Sequence, residues 1–134
     1  MNDAPEIRVA VSSDAAQITA VINAAFRIAE EFFVDGNRIA IEEVRQLFRK
    51  GVFLVAGGED RLGGCVYVEP RGERAYLGLL SVDPAQQQSG LGSRLMTAGE
   101  QFCRERGARF MDIYIVNLRT ELPAFYQRRG YFEN

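Results

Sequence analysis

The 134-residue chain contains no histidine. That absence excludes a Ser-His-Asp triad, a Cys-His pair, an imidazole general base and histidine-ligated zinc. Any acid–base chemistry must come from carboxylate, tyrosine, lysine, cysteine or water. Lysine is nearly absent as well: Lys50 stands alone among 16 basic residues. The two cysteines, Cys65 and Cys103, have no zinc-site spacing, and each falls in a stretch that reads as strand or helix. Buried free thiols in a reducing compartment are expected. No apolar run approaches the roughly 20 residues that span a bilayer, and the acidic, polar N-terminus lacks the pattern of a signal peptide. A cytoplasmic location is therefore expected. The net charge of −2 leaves no surplus of basic groups for a polyanion. Neither nucleic acid nor membrane is an expected partner.

What is present suits one compact domain, residues 1–134, with 47% hydrophobic and 25% charged residues. Ile7 to Ala10 alternates like a short strand, and Asp14 to Ala29 carries apolar residues at helical spacing. Glu30 to Asn37 reads as a loop and Ile39 to Lys50 as a second helix. Three strands are predicted next, Val52 to Ala56, Leu62 to Val68 and Arg74 to Val82. A turn at Gly57 to Asp60 and another at Pro70-Arg71-Gly72 separate them, so they should form an antiparallel meander. Gly90 to Arg106 is the strongest helix, with an apolar stripe of Leu91, Leu95, Ala98, Phe102 and Cys103. Phe110 to Val116 is a further strand, joined to the third by a crossover that implies parallel neighbours. A short helix from Pro123 to Arg129 and a strand from Tyr131 complete the pattern. The expected class is α+β, a central mixed twisted sheet flanked by helices.

The most informative stretch is Val82-Asp83-Pro84-Ala85-Gln86-Gln87-Gln88-Ser89-Gly90-Leu91-Gly92. A strand feeds it and a strong helix follows it. Such a loop exposes backbone N–H groups at the positive end of a helix, which makes an anion site. A tight turn with no ligand is the plain alternative. A dinucleotide fingerprint fits poorly, since Leu95 stands where a third glycine or alanine belongs. A P-loop is excluded because no Gly-Lys-Ser/Thr follows.

These residues resemble the GNAT superfamily of acetyl-CoA-dependent N-acetyltransferases. The family pattern Gln/Arg-x-x-Gly-x-Gly/Ala, reached through Val-x-Pro, appears as Gln87-Gln88-Ser89-Gly90-Leu91-Gly92 after Val82-Asp83-Pro84. A second family pattern, Asn followed by Phe-Tyr and Gly-aromatic, appears as Asn117, Phe125-Tyr126 and Gly130-Tyr131. Gln88 and Ser89 stand where the family often has glycine and arginine, and the spacing from Asn117 to Tyr126 is longer than the commonest form. The family fold also continues with another strand beyond the point where this chain stops. A shortened form, a missing tail and an edge completed by a partner chain are the alternatives.

The resemblance implies a GNAT-like fold and acetyl-CoA as cosubstrate, with no metal. Its pyrophosphate would meet Gln87, Gln88, Ser89, Gly90, Leu91, Gly92 and Ser93, with Arg94 and Asn117 as further contacts. Its pantetheine arm would pair with the main chain of Leu80, Ser81 and Val82, between the strands that end at Val82 and Val116, and a backbone N–H near Leu80 would polarise the acetyl carbonyl. Tyr126 occupies the position from which the family protonates the departing thiolate. The acceptor would be a primary amine of a small molecule or peptide, which must lose its proton before attack. A carboxylate acting through water is the expected base, with Glu31, Glu69 and Asp112 as candidates. A coenzyme A-binding domain without catalysis and a pure interaction domain are the competing readings.

Overall fold

The computed structural model describes residues 6–30, 39–57, 61–86 and 90–113. Among them, five strands form one sheet in the order β1 (Ile7–Val9), β2 (Val52–Gly57), β3 (Leu62–Arg71), β4 (Arg74–Val82) and β5 (Phe110–Ile113). β1 to β4 pair antiparallel, and β4 pairs parallel with β5. The expected meander and the expected parallel crossover are both present, which makes the fold α+β. Helices α1 (Ala15–Glu30) and α2 (Ile41–Lys50) cover one face of the sheet, and α3 (Leu91–Glu105) covers the other. Among the described residues no helix is long and apolar enough to cross a membrane.

Strand periodicity divides the core in two. Phe53 and Val55 on β2 and Cys65 and Tyr67 on β3 pack with Ile18, Val21, Ile22 and Val44 of α1 and α2. The intervening Leu54, Ala56, Val66 and Val68 pack with Leu91, Leu95, Met96 and Cys103 of α3. Both cysteines are buried free thiols, as expected. Gly99 brings α3 close to the sheet: a Cβ there would stand 3.1 Å from both Leu77 and Val68 side-chain carbons.

Two boundaries depart from expectation. β3 runs through Pro70 to Arg71, and the turn is only Gly72-Glu73, where Gly72 has φ +74°. Pairing with β2 ends at Val52 opposite Val68, so the N–H missing from Pro70 has no ladder bond to break on that side. α2 starts at Ile41 rather than Ile39, because the Ile39 main chain is held elsewhere. Asn23 on α1 donates to the Ile39 carbonyl and accepts from the Ile39 N–H, each at 3.0 Å. Ala40 then takes an extended conformation, and its N–H donates to the Glu43 carboxylate at 3.0 Å.

Two buried aspartates anchor chain direction changes. Asp14 receives both terminal nitrogens of Arg8, at 2.8 and 3.0 Å, and caps the Val11 N–H at 2.8 Å. Asp83, just after β4, accepts from the Ala85 N–H at 2.9 Å and from Arg61 at 2.7 Å. The Arg8 guanidinium is the main force holding Asp14 below the usual carboxylate range, and for Asp83 it is the Ala85 N–H.

Replacing Asn23 with alanine removes both bonds to Ile39 and should lower unfolding stability by about 1–3 kcal/mol, read from the urea midpoint. The aspartates predict acid sensitivity. Their folded pKa values lie below the unfolded value of about 3.9, so their contribution is complete above it. It disappears as pH falls through the folded values. The urea midpoint should therefore lose this contribution only as the pH falls below about 4 and on through the lowered folded values, and should drop less in Asp14→Asn or Asp83→Asn.

Candidate functional site

The site begins with a break in the β3–β4 ladder. Tyr67 lies opposite Gly78 and Cys65 opposite Ser81, so Val66 alone faces both Leu79 and Leu80. This is a β-bulge, and Leu79 adopts φ +54°. A left-handed conformation of that kind favours glycine and costs a leucine roughly 1–2 kcal/mol. The bulge inverts the side-chain alternation. Before it, Ala75 and Leu77 face α3. After it, Leu80 and Val82 face α3, while Leu79 packs against the α1–α2 side.

The peptide between Leu79 and Leu80 is held from one side. The Leu79 carbonyl accepts from the Ser81 hydroxyl at 3.1 Å and from the Cys65 thiol at 3.8 Å. Ser81 is buried, and burial pushes the Cys65 thiol up to about 12, so it keeps its proton at ordinary pH. The three residues expected to offer main chain to a ligand, Leu80, Ser81 and Val82, therefore start at the bulge itself. Described pairing with β5 runs only from Arg74–Phe110 to Leu77–Ile113, short of the bulge.

Beyond β4 the Asp83 N–H donates to the Gly63 carbonyl at 2.8 Å, and Pro84–Gln86 makes a 3-10 turn. Gly90 is the N-cap of α3, with φ +84°. The first helical bond runs from the Arg94 N–H to the Gly90 carbonyl at 3.1 Å. The N–H groups of Leu91, Gly92 and Ser93 precede that bond and form the helix end available to an anion. Among the described residues, a Cβ on Gly92 would meet only a Val82 methyl, at 3.7 Å. Packing of the described residues thus leaves room for a side chain at Gly92. Leu91 is buried beneath it, Ser93 is half-buried, and Arg94 is exposed on the first turn. Gln87, Gln88 and Ser89 lie outside the described residues.

The carboxylate candidates have different surroundings. Glu69 on β3 accepts from the Tyr67 hydroxyl at 2.9 Å and from Arg71 at 3.0 Å. Arg71 is the main cause that holds its carboxyl below the usual range. Asp112 on β5 accepts two bonds from Arg74, at 2.9 and 2.6 Å, and is likewise held low. Both are stabilised as anions, which weakens them as proton acceptors. Glu69 and Asp112 flank Tyr76 in register across β3, β4 and β5. Glu31, Asn117, Val116 and Tyr126 lie outside the described residues, as do the predicted helix at Pro123 and the strand at Tyr131. Among the described residues no group of three or more acidic or cysteine side chains could hold a metal ion.

Sequence reasoning missed the bulge. Its one local signal was Gly78, a glycine inside a strand pattern. A Cβ at Gly78 would collide with the Tyr76 phenol, so that glycine admits the Tyr76 ring beside the bulge.

Comparisons with known proteins agree with this geometry. Residues 20–131 match the acetyltransferase (GNAT) family. A mycothiol acetyltransferase from Clavibacter sepedonicus is 32% identical over 80 residues, 60% of this chain and 26% of that protein. The matched stretch thus spans about a quarter of that relative's length. A GNAT family acetyltransferase from Brucella melitensis, solved in complex with acetyl-CoA, is 28% identical with a TM-score of 0.74, covering 96% of this chain and 82% of that one. The ribosomal-protein-S18-alanine N-acetyltransferase from Escherichia coli shares the fold, with a TM-score of 0.80 at 15% identity, over 96% of this chain and 78% of that one. The family match takes in the bulged strand, the glycine-bounded turn and the helix after it, and the chain belongs to the GNAT acetyltransferase family.

Proposed function

We propose that the protein is an acetyl-CoA-dependent N-acetyltransferase that moves the acetyl group to a primary amine of a small molecule or peptide by direct attack. The observation that carries this reading is the bulge at Leu79-Leu80, placed on the strand that feeds the helix start at Gly90 to Ser93. It is supported by the solved Brucella melitensis relative, which holds acetyl-CoA.

In this reading the pyrophosphate lies against the main chain of residues 87–93, where helix-end N–H groups favour negative charge. Arg94 and Asn117 add contacts. The pantetheine amides run beside Leu80, Ser81 and Val82 as an added strand would. The Leu80 N–H donates to the acetyl carbonyl and stabilises the oxyanion that develops there. The neutral amine attacks the carbonyl carbon, the carbon–sulfur bond breaks, and coenzyme A departs as a thiolate that Tyr126 protonates. The amine proton passes through water to a carboxylate. Glu31 and Glu69 are the proposed acceptors, and Glu69 would act against the pull of Arg71, as Asp112 would against Arg74. The acidic residues Glu30, Glu31 and Asp35 favour a cationic acceptor. The proposed location is cytoplasmic, and a homodimer is the proposed assembly.

Acetyl-CoA at a hundredfold excess over its Kd should stabilise the fold by about 2.7 kcal/mol. A thermal-shift titration with no movement at saturation would overturn the reading. Transfer to at least one member of an amine and peptide panel is expected; binding without any transfer would leave the non-catalytic reading instead. Gly92→Val adds a side chain whose Cβ meets, among the described residues, only a Val82 methyl in ordinary contact, so it should weaken acetyl-CoA binding about tenfold or more while leaving the melting temperature nearly unchanged. Gly90→Val should lose both binding and stability, because φ +84° strains any β-branched residue. Tyr126→Phe should lower kcat by about 10²–10⁴, the usual range for an acid–base group, with coenzyme A affinity intact.

A further inference from the structure

We infer that Ser81 is a positioning residue for the acetyl-binding peptide, acting through its side-chain hydroxyl rather than its main chain. The proposal rests on the acetyl-CoA reading of the bulge and deepens it. The peptide bond is planar, and the described chain contains no cis bond, so the Leu79 carbonyl and the Leu80 N–H point in opposite directions. Whatever fixes the carbonyl therefore aims the N–H. The carbonyl is fixed by the Ser81 hydroxyl at 3.1 Å, with the Cys65 thiol as a longer second donor at 3.8 Å. Both donors lie on the α1–α2 side, which leaves the N–H directed away from that core.

The hydroxyl has a reason to be there. A bulge leaves a residue out of the regular ladder, and Leu79 holds a conformation that leucine disfavours. The flanking register and the packing of Leu79 and Leu80 fix the bulge itself, and the donor on the carbonyl fixes the rotation of the peptide within it. Ser81 is buried, so water does not replace the hydroxyl when it is removed. The Cys65 thiol is a weak donor at long range and cannot substitute fully. Alanine at position 81 would preserve strand, volume and burial while removing the one short bond.

Isotope-edited infrared spectroscopy of acetyl-CoA labelled with carbon-13 at the acetyl carbonyl tests this without knowledge of the acceptor. In the unsubstituted protein, the carbonyl stretch of the bound thioester should fall below that of free acetyl-CoA. Ser81→Ala should return it most of the way to the free value, with calorimetric affinity for acetyl-CoA changed less than about threefold. Once the amine panel supplies an acceptor, kcat should fall about tenfold, less than the loss of an oxyanion donor itself, at nearly constant KM for acetyl-CoA. An unshifted carbonyl in the unsubstituted protein would defeat the reading of the bulge, and the Ser81 proposal with it. A shift that survives unchanged in Ser81→Ala would overturn the proposal alone, as would loss of acetyl-CoA binding in that variant.

Discussion

The geometry of the candidate site depends on one extra residue in β4. If β3 and β4 paired without interruption, Leu79 would follow Ala75 and Leu77 onto the α3 face, and Leu80 would face α1 and α2. The bulge opposite Val66 reverses that assignment. A one-residue shift moves every later side chain to the other face of a sheet. It therefore determines that Ser81 is buried beside Cys65 and that Val82 lies under the start of α3. The conformational cost at Leu79 is offset by burial of its side chain and by the donors on its carbonyl.

A second constraint acts where β4 ends. Asp83 ties the departing chain to Arg61 and closes the 3-10 turn through Ala85. Gly90 then begins α3 in a left-handed conformation. Between these anchors lies the segment that the family likeness marks for a pyrophosphate. The first N–H groups of α3 have no partner within the helix, and among the described residues a Cβ on Gly92 would meet only a Val82 methyl. In the proposed reading the anion meets main chain, so the side chains at Gln88 and Ser89 matter less than the backbone that carries them.

The carboxylates show how proximity in a sequence pattern differs from chemical readiness. Glu69 and Asp112 carry the right group for accepting a proton. Each has already found an arginine, and Glu69 also has the Tyr67 hydroxyl. Tyr67 and Arg71 stand two residues to either side of Glu69 on β3, whereas Arg74 reaches Asp112 from the neighbouring strand, 38 residues away, and no local reading of the chain exposes that pair. The same is true of Asn23, whose amide closes onto Ile39 sixteen residues away and sets where α2 begins.

Local pattern was enough for the architecture. Periods of two and 3.6 along the chain placed the described strands and helices within a few residues, because half-buried strands and amphipathic helices must alternate their apolar residues that way. The Gly90–Gly92 turn and the Asn117 to Tyr131 pattern were sufficient to suggest the family. Pairing decided the rest. The bulge arises from registering β3 against β4, the depressed carboxyl of Asp112 from the arginine that β4 brings beside it, and the buried hydroxyl of Ser81 from the face the bulge assigns to it. Each depends on contacts between residues distant in sequence or on a register that only the folded sheet defines, and a linear pattern carries no record of either.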